Sequence, residues 1–127
     1  MGLQGQNIDI RGKIYNIEVQ VSGTNAFKHG SLYYWAKLYS SQLQEGEEYA
    51  SLYPVICINI LEFRLFQDIN RYHLHFMLKD TKDAELYLSE HLAIHYLELP
   101  KMQNLDMQSN LSRWLYYFNL KLSVLYK

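Results

Sequence analysis

Apolar and polar residues alternate most cleanly between Ile14 and Val21. As a strand this run has two unlike faces. Tyr15, Ile17, Val19 and Val21 share one, expected to meet a core. Asn16, Glu18 and Gln20 share the other, as a row of oxygen and amide groups. Ile8-Asp9-Ile10 precedes it, and Arg11-Gly12 reads as the turn of a hairpin that runs on to Val21. Ser22-Gly23-Thr24-Asn25 then breaks the strand. From Ala26 to about Glu45 the spacing turns helical, with Gly46 as the stop. Phe27, Tyr34 and Leu38, with Trp35 and Leu43 on the adjoining stripe, are the predicted buried side. Pro54 to Ile60 is β-branched without strict alternation, the mark of a strand covered on both faces at a sheet centre. Tyr72 to Leu78 alternates again, and Leu92 to Leu99 predicts a further strand. A closing helix is expected from the candidate N-caps Ser109-Asn110, turning Leu111, Trp114, Leu115, Phe118 and Leu122 inward. The order is hairpin, helix, three strands, helix. It predicts an α/β fold, a mixed sheet with helices against it.

Composition narrows the class. The 127 residues suit one domain, and 49% apolar with 15% aromatic content is enough to bury a core. A formal net charge of -1 argues against a strongly basic nucleic-acid surface. It leaves room for a site that recruits its own cations. The one cysteine, Cys57, has no internal disulfide partner, which fits a reducing compartment. No signal peptide opens the chain, and no apolar run approaches the ~20 residues of a membrane span. The expectation is a cytoplasmic protein with no membrane contact, and no linker or repeat divides residues 1–127.

The strand Gly12-Lys13-Ile14-Tyr15-Asn16-Ile17-Glu18-Val19-Gln20 reads as the E-x-Q form of a D/E-x-K half-site. It resembles the core of the PD-(D/E)xK nuclease family transposases, the Rpn or recombination-promoting nucleases. The resemblance continues through Leu32 to Leu43, Gly46 to Tyr49 and Pro54 to Leu61. It takes in Glu98-Leu99-Pro100-Lys101, and a tryptophan at Trp114. The resemblance implies a restriction-endonuclease-like fold and metal-dependent cleavage of DNA phosphodiesters with Mg²⁺ or Mn²⁺. It makes Glu18 a metal ligand and catalytic residue, and sets Gln20 where related nucleases often hold lysine. The family's other metal ligand is an aspartate ending a preceding helix and strand. This chain starts at about that point, so the expectation is a domain lacking the usual first helix and strand. His29 stands near the position where the family has arginine.

Asp9 is the candidate for the second metal ligand. A two-residue loop at Arg11-Gly12 pairs Asp9 with Ile14 and Gly5 with Glu18, which leaves Asp9 roughly 13 Å from Glu18 along the strand. A short polar residue beside a turn is otherwise an ordinary solvated group. Glu18 has its own plain alternative, a solvent-facing glutamate on an amphipathic strand. Lys37, on the helix after the E-x-Q strand, is the candidate substrate-binding cation for a phosphate; its plain alternative, which carries more weight, is a surface lysine beside a tyrosine stripe. His73, His75, His91 and His95 suggest zinc only if they converge, and otherwise line a wet sheet face. Three readings follow: a DNA endonuclease, inactive if its site is incomplete; a gene remnant with no function beyond partial folding; or a non-catalytic module. The module would pair with another copy or with a full-length relative.

Overall fold

Arg11 and Gly12 both have positive φ, 52° and 73°. That is the type I′ geometry, whose twist suits two antiparallel strands joined by two residues. Gly12 adopts it freely, whereas Arg11 does so at a steric cost. The structure, a computed structural model, describes residues 6–102. In it the turn joins β1 (Gln6–Ile10) to β2 (Lys13–Gln20), pairing Ile10 with Lys13, Asp9 with Ile14 and Asn7 with Asn16. Helix α1 (Ala26–Ser40) follows, then β3 (Val55–Leu61), β4 (His73–Lys79) and β5 (Tyr87–Glu98). The five strands lie in the order β1-β2-β3-β5-β4. β2, β3 and β5 are parallel, and the two edge strands run antiparallel to their neighbours. β3 is thus the sheet centre its β-branched run predicts.

Helix α1 packs mainly on β3 and β5. Trp35 is buried in a cluster with Val55, Cys57, Leu61, Leu92 and Ile94. Its indole N–H donates to the Val55 carbonyl at 2.8 Å, which satisfies the one polar atom the ring carries inward. Tyr39 stacks on Trp35 with ring centroids 4.8 Å apart. The helix ends at Ser40, short of the expected Glu45. The Ser40 and Ser41 hydroxyls donate back to the carbonyls of Lys37 and Leu38, competing with helix continuation. Gln42 then brackets the Tyr53 backbone, donating to its carbonyl at 2.9 Å and accepting from its N–H at 2.7 Å. That pair of bonds draws the chain away toward β3.

The faces of β2 differ from the expectation. Asn16 is 1% exposed whereas Val21 is 52% exposed. Asn16 pairs with Cys57, and Glu18 with Asn59, so the polar row shares the sheet face on which Cys57 packs under α1. Ile17 and Val19 face the reverse side, in a smaller cluster around Ile60 and Leu97. Alternation gives two unlike faces but not which of them the helix covers. β5 is longer than Leu92–Leu99 because register shifts opposite Met77, Leu78 and Lys79 break its early alternation. The expected closing helix from Ser109 lies outside the described residues. Among the described residues no helix is long and apolar enough to cross a membrane.

A buried charge pair closes the sheet. The Glu98 carboxylate, 0% exposed, accepts from the backbone N–H groups of Leu65 at 2.5 Å and Phe66 at 3.0 Å. Its second oxygen pairs with the Lys101 ammonium, which also donates to the Phe66 carbonyl at 2.7 Å. Two backbone donors, a carbonyl and two opposite charges satisfy one another where no water reaches. The segment after β3 is thereby fixed to the end of β5. Removing one partner leaves a buried, unpaired charge, which costs about 3–5 kcal/mol. Glu98→Ala is therefore expected to lower unfolding free energy in urea by about that amount. Glu98→Met with Lys101→Leu, which orphans no charge, is expected to cost less. Equal losses in the two variants would contradict the clamp.

Candidate functional site

Glu18 stands on β2 beside Asn59 of β3, which in turn pairs with Tyr96 of β5. The three form a polar row across the face that α1 covers. Asn59 is buried, and its side-chain N–H donates to the His95 carbonyl at 3.3 Å. The Ser31 hydroxyl gives its proton to the Lys28 carbonyl at 3.0 Å. The very short Ser31–Tyr96 hydrogen bond therefore has Tyr96 as donor, pinning the first turns of α1 over β5. Burial pushes the Tyr96 phenol up. Because α1 lies over β3 and β5, Glu18 and Gln20 keep only half cover.

Partial burial raises the Glu18 carboxyl above its ordinary range. Cys57 is pushed up to about 12, by burial first and then by the Glu18 charge. Its thiol stays protonated at neutral pH, so it is an apolar filler and not a nucleophile.

The structure brings Gln20 to Glu18 on one strand face, two residues apart. It does not bring Asp9 there. Asp9 pairs with Ile14, four residues along β2 from Glu18 and so roughly 13 Å away. Two carboxylates on one Mg²⁺ each need an oxygen about 2.1 Å from it. Lys37 is not brought to Glu18 either. It is exposed in the last turn of α1, two residues beyond Trp35, which bonds to Val55 opposite Ile14. At the other end of the helix, Lys28 holds its ammonium 4.5 Å over the Phe66 ring. Of the residues described on its strand face, the donors beside Glu18 are the amides of Gln20 and Asn59. Among the described residues no group of three His, Cys, Asp or Glu is arranged to hold a metal ion. The single carboxylate suits one ligand position of Mg²⁺, and the second falls short.

Sequence reasoning missed the partners of this row. Asn59 and Tyr96 sit within apolar runs, and only the parallel register aligns them with Glu18. Glu98 and Lys101 were visible as a motif, but their burial against Leu65 and Phe66 was not.

The histidines gather on the reverse face. His73 and His95 approach at 2.8 Å between ring nitrogens, and His75 stacks on His95 with centroids 3.9 Å apart. The rings are nearly parallel, 7° to 16° between planes. Lone pairs lie in ring planes, so stacked rings do not aim them at one ion. His91 bonds instead to the Tyr39 hydroxyl at 2.9 Å. Burial first, then nearby positive charge, lowers the pKa of all three stacked rings: His75 and Arg71 act on His73, Lys79 acts on His75, and His75 and His73 act on His95, which falls to about 4.

These shifts predict opposite pH effects. The folded chain holds fewer protons on the three histidines than the unfolded chain does between pH 6.5 and about 4. Stability is present above 6.5 and lost as pH falls through that window. His95→Asn is expected to flatten that loss. Glu18 has the other sign: its raised pKa favours the protonated form, so stability falls as pH rises through it. Glu18→Gln is expected to raise the thermal midpoint at pH 8 and leave it unchanged at pH 4. Melting curves across pH check both, and an unchanged midpoint at pH 8 would contradict the desolvated glutamate.

Residues 7–122 match the family model of the PD-(D/E)XK nuclease family transposase. No curated protein and no solved structure matches the chain. The matched span takes in Glu18 and Gln20 on β2, the whole of α1, the central β3 and the Glu98–Lys101 clamp. The mixed sheet with its helix is an α/β fold of the restriction-endonuclease-like kind. The chain belongs to the PD-(D/E)XK nuclease family transposases.

Proposed function

We propose that this chain is the scaffold of a metal-dependent DNA endonuclease whose carboxylate set is too small for cleavage by the chain alone. Glu18 is the metal-ligand carboxylate, and Gln20 takes the place beside it. Asp9 is the nearest candidate for the second ligand along β1. The observation that carries this reading is the pairing of Asp9 with Ile14 and not with Glu18. Mg²⁺ or Mn²⁺, when bound to such a site, activates a water and stabilises charge on phosphate oxygens. The chain's own contribution is to hold one carboxylate, half-buried and readily charged by a cation, on a rigid strand. DNA as substrate rests on the family, and a cytoplasmic setting accords with one buried thiol and no disulfide. Lys37 on α1 is the candidate cation for a phosphate.

Supercoiled plasmid with Mg²⁺ or Mn²⁺ tests it. Wild type, Glu18→Ala and Asp9→Ala are all expected to leave the plasmid intact. Wild-type cleavage that is lost in both Glu18→Ala and Asp9→Ala would overturn the reading.

A second reading, pairing with another copy or with a full-length relative, draws on exposed apolar side chains along the β4 edge. Phe76, Leu78 and Leu88 are all exposed there, with Leu32 facing them from α1. Light scattering at micromolar concentration decides it. A dimer supports pairing between copies, and a monomer contradicts it.

A further inference from the structure

The segment after β3 begins at the Glu18 end of β2. The Glu62 N–H donates to the Gln20 carbonyl at 2.9 Å, one step past the pairing of Gln20 with Leu61. Gly23, in the turn from β2 to α1, passes so close to Phe63 that a Cβ there would stand 2.9 Å from its ring. Phe63, Leu65 and Phe66 then pack into the cluster beneath α1, so the segment folds over the sheet face that carries Glu18. The Leu65 and Phe66 N–H groups are held by Glu98, and the Phe66 carbonyl by Lys101. Arg64 stands in the middle of this held backbone with its side chain exposed. Among the described residues it makes no ion pair, although Glu62 and Asp68 are exposed in the same segment.

We propose that Arg64 binds a DNA phosphate beside the Glu18 site, an inference that rests on the nuclease reading above. Two residues separate Arg64 from Glu62, at most about 7 Å of chain, and two separate Glu18 from Gln20, about 7 Å of strand. Phosphates follow one another every ~3.4 Å of axis along a DNA strand, so a backbone lying at Glu18 passes Arg64 within a few phosphates. Open α/β sheets take their ligands outside the carboxyl ends of the parallel strands, here β2 and β3. A guanidinium presents a planar fork of N–H donors that fits two phosphate oxygens at once. Its backbone is already fixed by the Glu98–Lys101 clamp, so binding orders only the side chain. Lys37, in the last turn of α1, lies at the other end of the helix from this segment, whose Phe66 meets Lys28 in the first turn.

Arg71, the other arginine of the segment, carries the same charge without the position. It is exposed, and the carbonyl of its neighbour Tyr72 accepts from the Glu98 N–H at the end of β5. The chain there is entering β4, three strands from β2 and so roughly 14 Å away.

Fluorescence anisotropy of a short labelled DNA duplex, titrated with the full chain in Mg²⁺ at several NaCl concentrations, tests the proposal. Arg64→Ala is expected to weaken binding about tenfold and to lower the salt slope by about 0.9, the value of one phosphate contact. Arg64→Lys is expected to restore the slope and only part of the affinity, because the charge returns without the fork. Arg71→Ala is expected to leave both near wild type. All three variants are expected to keep the wild-type melting temperature, since both side chains are exposed. Affinity and slope unchanged in Arg64→Ala, with the wild type binding, would overturn the proposal and leave the nuclease reading standing. Equal losses in Arg64→Ala and Arg71→Ala would overturn it in favour of diffuse attraction. A wild-type chain that binds no duplex at low salt would overturn both.

Discussion

The two-residue turn at Arg11-Gly12 constrains everything that follows. With both residues at positive φ, it admits one register of β1 on β2. That register decides which groups of β1 stand across from the polar face of β2. It sets Asn7 opposite Asn16 and Asp9 opposite Ile14, and so keeps Asp9 at the turn end of the hairpin. A longer loop would slide the strands or reverse the facing of Asp9 altogether. The chemistry available to Glu18 is therefore set by a turn several residues away.

Around that hairpin the sheet is held from two directions. On the helix side the polar row of Glu18, Asn59 and Tyr96 is tied to α1 through Ser31, while Trp35 anchors the far end of the helix to Val55. Buried polar groups of this kind are costly unless satisfied, and among the described residues every buried side-chain nitrogen and oxygen has a partner. At the strand ends, Glu98 and Lys101 fix the segment after β3 by charge and hydrogen bonds together. Glu18 stands apart from these arrangements. It is half-buried, raised in pKa and next to a thiol that its charge disfavours ionising.

Much of this was legible in the residues. The hairpin, the central β-branched strand, the helix start and the Asp9–Ile14 pairing all follow from local pattern and turn chemistry. The covered face of β2 was not legible, because Asn16, Glu18 and Gln20 look solvent-facing until β3 lays Cys57 and Asn59 beside them. Nor was the end of α1, where Ser40, Ser41 and Gln42 redirect the chain before Gly46 is reached. The stacking of His73, His75 and His95 also needed the β4–β5 register, which sets His75 opposite His95. Period-two and period-3.6 patterns report which residues share a side. They do not report what lies against it.

The central claim is that Asp9 and Glu18 cannot share one ion, because the hairpin register separates them. Cross-strand Hα–Hα contacts in a nuclear Overhauser spectrum measure that register directly. The account predicts contacts between Asp9 and Ile14 and between Asn7 and Asn16, in the presence of Mg²⁺ as in its absence. A contact between Asp9 and Glu18 under either condition would contradict it.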